Sequence, residues 1–142
     1  MAYDHTQYEV LLANDADITA TGIEGTWAPG LVPHIIRGVS ITVTNAISAE
    51  CGVTFEVVTA GGAVDSGTDI AVLTIPNGTA VGQVIYANTE SASWPNLKVS
   101  PGQEVIADVH DAGGSGDACN IHILVEPQWE MPANNTVMTE TA

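Results

Sequence analysis

Apolar residues recur at every second position through most of this chain, and glycine, proline and asparagine break the runs at short intervals. Alternation with period two sorts side chains onto the two faces of an extended strand, whereas a helical face needs a spacing near three and a half. In residues 34–44, Val39, Ile41 and Val43 alternate with Ser40, Thr42 and Thr44, and Gly38 marks a bulge or bend. Residues 51–59 repeat the rule with Val53, Phe55 and Val57 inward and Thr54 and Glu56 outward, until Gly61-Gly62 breaks the strand. A run over 69–75 stops at the turn Pro76-Asn77-Gly78, and 81–87 follows. Ser100-Pro101-Gly102-Gln103 has the residue order of a type II turn and leads into 104–110, where Val105, Ala107 and Val109 share a face. Beyond a Gly-rich loop over 111–117, Cys119, Ile121, Ile123 and Val125 define a last strong strand, which Pro127 ends. Weaker candidates over 8–12 and 17–21 bring the count to about eight.

About eight strands separated by turns, with no helical period and no internal repeat, predict an all-β antiparallel β-sandwich, jelly-roll or Ig-like, rather than parallel βαβ units. The 142 residues fit one domain, large enough to bury roughly two-thirds of its unfolded surface without metals or disulfides. Residues 1–126 form the sandwich, including a long irregular connection over 26–33. Residues 127–142 read as an extended arm. They carry Pro127, Pro132, Asn134 and Asn135 without a core-like period, yet hold Trp129, Met131, Val137 and Met138, more large apolar side chains than a free tail needs.

Charge removes whole classes of partner. Seventeen Asp and Glu stand against Arg37 and Lys98 alone, for a net charge of −15. A nucleic-acid binder needs several cations to replace phosphate counterions, and an anionic membrane surface needs a basic cluster, so neither partner is expected. Forty-five per cent hydrophobic residues argues against disorder despite that charge. The chain has no run of 18 apolar residues and no signal-peptide pattern at its start, which predicts synthesis in a cytosol. Cys51 and Cys119 each precede a strand-like run and read as free, buried thiols, although spacing alone leaves a bridge between them open.

Chemistry-bearing residues do not assemble into a motif. His110, Asp111, Asp117 and His122 surround the Gly-rich loop, but if that loop closes a hairpin with His110 opposite Ala118, His122 lies some 13 Å further on at about 3.3 Å per residue. Calcium held by Asp111, Asp117 and loop carbonyls is the alternative to a solvated hairpin tip, which is the reading preferred. No Gly-x-Ser-x-Gly elbow is present, and nominal triads or carboxylate pairs are unavoidable among so many acids. No catalytic residue, cofactor or metal ligand is therefore assigned. Trp27, Trp94 and Trp129 each lie within two residues of a proline and can serve as core lids, interface anchors or sugar-stacking platforms. Ile106 and Leu124 point opposite to the inward residues of their strands, so a second surface there is covered by the chain's own loops, by the arm or by another subunit.

The order of elements resembles a known family. The run over 53–87, then Val99-Ser100-Pro101-Gly102-Gln103-Glu104-Val105, the Gly-rich loop, and Ile123-Leu124-Val125-Glu126-Pro127 ending in Pro132-Ala133-Asn134-Asn135, are similar to small head decoration (cement) proteins of tailed bacteriophages. The likeness spans roughly residues 36–137 and leaves 27–33 without a counterpart. It implies a β-sandwich on the outside of a virion that locks major capsid proteins together, often as a homotrimer. Under that implication Trp27, Trp94, Ile106, Leu124 and the apolar residues of the arm are interface candidates. A carbohydrate-binding sandwich on a virion surface and a fibre or appendage subunit are the alternatives.

Overall fold

Nine strands account for most of the described chain, and they follow the alternation. The computed structural model describes residues 6–88 and 97–128. In chain order the strands are β1 (Tyr8–Asp17), β2 (Gly22–Trp27), β3 (His34–Asn45), β4 (Cys51–Thr59), β5 (Thr68–Ile75), β6 (Val84–Asn88), β7 (Lys98–Val99), β8 (Gln103–Asp111) and β9 (Ala118–Pro127). One sheet has the order β1-β9-β3-β6, with the two-residue β7 pairing the start of β3, and the other has the order β2-β8-β4-β5. All pairings are antiparallel.

Setting the short β7 aside, the partners β1–β9, β2–β8, β3–β6 and β4–β5 nest inside one another like one long hairpin rolled over itself. This is the jelly-roll arrangement, which decides between the two sandwich topologies the sequence allowed. The core lies between the sheets. Val39, Ile41, Val43, Ile121, Ile123 and Val125 face Val53, Phe55, Val57, Val105, Ala107 and Val109, all buried, as the period-two reading requires.

Local details agree where turn chemistry is strong. Gln103 N–H donates to the Ser100 carbonyl at 2.9 Å and Gly102 has φ 90°, the type II turn expected of Ser-Pro-Gly-Gln. Register along β3 and β9 slips between Ile36 and Gly38, so the bulge falls where Gly38 marked it.

The N-terminal third departs from expectation. Residues 18–21 are not a strand: the Asp17 carboxylate accepts from the Thr19 hydroxyl at 2.6 Å and the Thr19 N–H at 3.0 Å, a local turn that ends β1. β2 follows and extends to Trp27, inside the stretch expected to be irregular. β1 itself runs five residues past the expected Leu12, but shifts of register between Leu11 and Ala13 and between Ala13 and Ala16 scramble its period. The strand expected from Val81 starts at Val84, because Gly82 N–H donates to Val43 and Gln83 N–H to Ala80 in a turn. Finally, β8 and β9 lie in different sheets. The Gly-rich loop between them passes from one sheet to the other at an end of the sandwich and closes no hairpin.

Candidate functional site

The two outer faces of the sandwich differ, and the difference comes from one loop. On the sheet of β2, β8, β4 and β5, the outward residues of β4 are Thr54, Glu56 and Val58, all buried. The loop from β4 to β5 folds back across them: Asp65 N–H donates to Glu56 Oε1 at 2.9 Å and Gly67 N–H to Glu56 Oε2 at 2.7 Å. Ile106, opposite Glu56 in the β4–β8 register, is fully buried on this same face. It is thus covered by its own chain and unavailable to another subunit, and of the covers considered for this strand the chain's own loop is the one present.

The outer face of the other sheet has no such cap among the described residues. Leu11, His122, Ser40 and Tyr86 stand in one row across β1, β9, β3 and β6. Tyr86 is 74% exposed, Val84 54% and Leu11 48%, values that leave large apolar side chains in water. Leu124, Tyr86, Val39 and Ile123, together with Arg37, Ser40 and Glu9, line a shallow groove of about 280 Å³. Polar pairs frame it. The Glu9 carboxylate contacts Nδ1 of His122, and Arg37 donates through Nη2 to Glu126 at 3.1 Å. The Arg37 Nε is buried at the groove without a hydrogen-bond partner among the described residues.

At one end of the sandwich, Asp117 is a buried tie point rather than part of a solvated tip. Its Oδ1 accepts from the Ser48 hydroxyl at 2.8 Å and the Ser48 N–H at 2.9 Å, and its Oδ2 from Gly114 N–H at 2.6 Å and Ala49 N–H at 3.3 Å. Burial pushes this carboxyl up, but the Ser48 hydroxyl and the three backbone donors outweigh it and hold the group below the usual carboxylate range. With its oxygens engaged by donors, Asp117 is a poor calcium ligand, which corrects both readings of the loop. Beside it, Asp15, Asp17, Thr19, Thr44 and Asn45 line a polar mouth of about 790 Å³.

The remaining residues singled out from sequence separate cleanly. Trp27 packs edge-on against His34 with ring centroids 5.0 Å apart, and Tyr8 Oη lies 2.7 Å from His34 Nε2, so Trp27 is a lid on the core. Leu124 lines the groove. Trp94, Trp129, Met131, Val137 and Met138 lie outside the described residues. Cys51 and Cys119 are free and buried. Burial drives their thiols up to about 11 and about 12, with Asp111 and Asp117 adding to Cys51 and Cys51 itself adding to Cys119. His110 and His122 fall on different sheets, the first bonded to the Thr54 hydroxyl at 2.8 Å and the second to Glu9. Sequence reasoning missed Val84 and Tyr86. Their alternation with the part-buried Ile85 was the available signal, since an outward Val and Tyr on a short edge strand are apolar where polar residues are the rule.

No protein-family model matches the chain, and no curated protein sequence matches it. Two solved structures are similar to it in shape. One is that of infectious bursal disease virus, Gx strain, with a TM-score of 0.45 and 12% identity over 92% of this chain and 34% of the other. The second is that of tomato aspermy virus, with a TM-score of 0.37 and 16% identity over 94% of this chain and 81% of the other. The chain spans about a third of the length of the first. Likeness at this level carries no information about partners or activity.

Proposed function

We propose that this chain is a structural protein of a virion, a decoration or cement protein that docks on the outside of an assembled capsid and bridges major capsid proteins. The observation that carries this reading is the uncapped outer face of the β1-β9-β3-β6 sheet, with Tyr86, Val84 and Leu11 exposed beside a groove. Large apolar side chains gathered on one face mark an interaction surface. The sequence resemblance to phage head decoration proteins points the same way, and the jelly roll is an architecture found in both capsid and lectin domains. Dispersed acid, −15 in net charge, keeps such a protein soluble at high copy number before it meets the shell. In this reading the chain performs no catalysis, meets neither nucleic acid nor membrane, and reaches its site as a homo-oligomer, with a trimer favoured.

Co-sedimentation tests it. The chain is added to particles of its own virus that lack it, and the particles are pelleted. Wild type pellets with them, and the Val84→Ser, Tyr86→Ser double variant stays in the supernatant with an unchanged melting temperature, since both side chains are largely exposed in the free chain. Failure of the wild type to bind, or undiminished binding of the variant, overturns the reading.

One observation favours a second reading. The exposed Tyr86 ring sits beside a groove that also offers Arg37, Ser40 and Glu9, an aromatic platform with convergent polar groups suited to a sugar. Saturable binding on a glycan array that is lost in Tyr86→Ser supports the carbohydrate-binding alternative in place of capsid docking.

A further inference from the structure

A second, independent feature lies on the opposite face. β5 carries a bulge at Ile70 that sets Asp69 directly opposite Glu56 in the β4–β5 ladder. Like charges in that relation repel unless something stands between them. The loop over the sheet adds a third carboxylate: the two N–H bonds that Asp65 and Gly67 make to Glu56 bring Asp65 to the same spot, with its backbone at φ 63°. Glu56, Asp65 and Asp69 each present an oxygen, and these oxygens all lie within 4.8 Å of one another. Oxygens across a calcium ion stand roughly 4.6–5.2 Å apart, from Ca–O distances of about 2.3–2.6 Å, and cis ligands stand closer, so one ion fits all three.

A cluster of acids on a chain this acidic proves nothing alone. The independent observation is Asp108 on β8, diagonal to Glu56 on the same outer face. Asp108 is only 6% exposed, and its carboxylate has no hydrogen-bond partner among the described residues. Its side chain leaves the sheet beside Glu56, on the face that the cluster occupies. Neither Arg37, which pairs with Glu126, nor Lys98 forms an ion pair with any of these four residues. Buried charges are ordinarily paired with opposite charge or with a metal, and here the protein supplies no Arg or Lys.

We propose that Glu56, Asp65 and Asp69 bind one calcium ion on the outer face of the β2-β8-β4-β5 sheet, with Asp108 supplying further negative charge behind them. The ligands are all hard oxygens, which suits Ca²⁺ over zinc or copper. Asp65 and Asp69 are exposed, leaving room for water to complete a shell of six to eight oxygens. Glu56 keeps free lone pairs on both oxygens after accepting its two N–H bonds. An ion there pins the β4–β5 loop to the sheet and removes the repulsion between Glu56 and Asp69. The proposal does not depend on the docking role of the opposite face.

Isothermal calorimetry with CaCl₂ at constant ionic strength, paired with melting temperatures in calcium and in EGTA, tests it without any capsid. One ion per chain and a melting temperature raised by calcium are expected. Asp69→Asn and Asp65→Asn weaken binding about tenfold or more, the loss usual when a metal site is disturbed. Both residues are exposed, and Asn tolerates the left-handed backbone of Asp65, so the variants fold. Asp17→Asn, in the polar mouth at the end of the sandwich, leaves binding unchanged. Absence of saturable heat up to about 5 mM calcium, above the weakest ordinary sites near 1 mM, overturns the proposal. So does wild-type affinity in both variants, or an equal response to magnesium, which marks diffuse screening.

Discussion

At the scale of single residues, Asp117 shows how position in the fold overrides residue type. An Asp at the end of a Gly-rich loop reads as part of a solvated turn, because nothing near it in sequence demands burial. Beside the local donor Gly114, its donors Ser48 and Ala49 are almost seventy residues away, and only the crossing of the chain from one sheet to the other brings them in. The inward apolar residues, by contrast, were legible from their alternation alone, down to Phe55 and Ile121. Replacing Asp117 with Asn puts an NH₂ group against N–H donors and removes the charge they stabilise, at a cost of about 1–3 kcal/mol near neutral pH. The sign of the pH dependence follows from the lowered folded pKa. The carboxylate's contribution is present above the unfolded value of about 3.9 and is lost as pH falls through the folded value. Urea denaturation of wild type and Asp117→Asn therefore shows a gap that is constant from pH 7 to about 5 and narrows in stronger acid. A gap independent of pH down to 2.5 contradicts a charge-based role.

At the scale of elements, the β4–β5 hairpin is the part whose strands were legible and whose cover was not. Period two assigned Thr54 and Glu56 to the outer face correctly, but whether an outer face meets water depends on what a loop does afterwards. Here the loop lies flat because Gly67 has no side chain: a Cβ at that position would stand 1.9 Å from the Val57 carbonyl oxygen and 3.0 Å from the Val58 Cα. The approach of backbone to backbone is what lets Gly67 N–H reach Glu56. Gly67→Ala must lift the loop, and a cost of about 1–3 kcal/mol is expected from forced overpacking, with the buried Glu56 charge losing a donor in addition. Hydrogen exchange locates the effect. The Asp65 and Gly67 amides lose protection in the variant, while the amides of the β3–β9 ladder keep theirs. Equal loss across both sheets would mean that the loop is not a separable unit. By the same logic the sequence shows β1 too short and points to 17–21 instead of β2 for the second strand, since the register shifts of β1 and the turn made by Asp17 and Thr19 interrupt the alternation that marks the rest.

At the scale of the whole molecule, counting strands was easier than pairing them. Turn residues announce where a strand stops, but a jelly roll joins β1 to β9 and β2 to β8 across more than seventy residues, and no local signal encodes such partners. One consequence bears on the arm. β9 is an interior strand, flanked by β1 and β3, and its pairing continues to Pro127 opposite His34, with Gln128 N–H donating to the Pro33 carbonyl at 2.8 Å. Among the described residues the pairing of this sheet runs to Gln128, and the core lies between the two sheets. Trp129, Met131, Val137 and Met138 follow β9 in sequence and lie outside the described residues. An arm that adds contact with a neighbouring subunit raises effective concentration without enlarging the core. Deleting 129–142 is therefore expected to leave the cooperative unfolding transition within about 1 kcal/mol of wild type, as for changes outside a core. The same deletion lowers the oligomeric mass seen in sedimentation equilibrium and loosens retention on particles. A truncated chain that fails to fold places those four side chains in the chain's own core, and one that assembles as wild type does removes the arm from assembly.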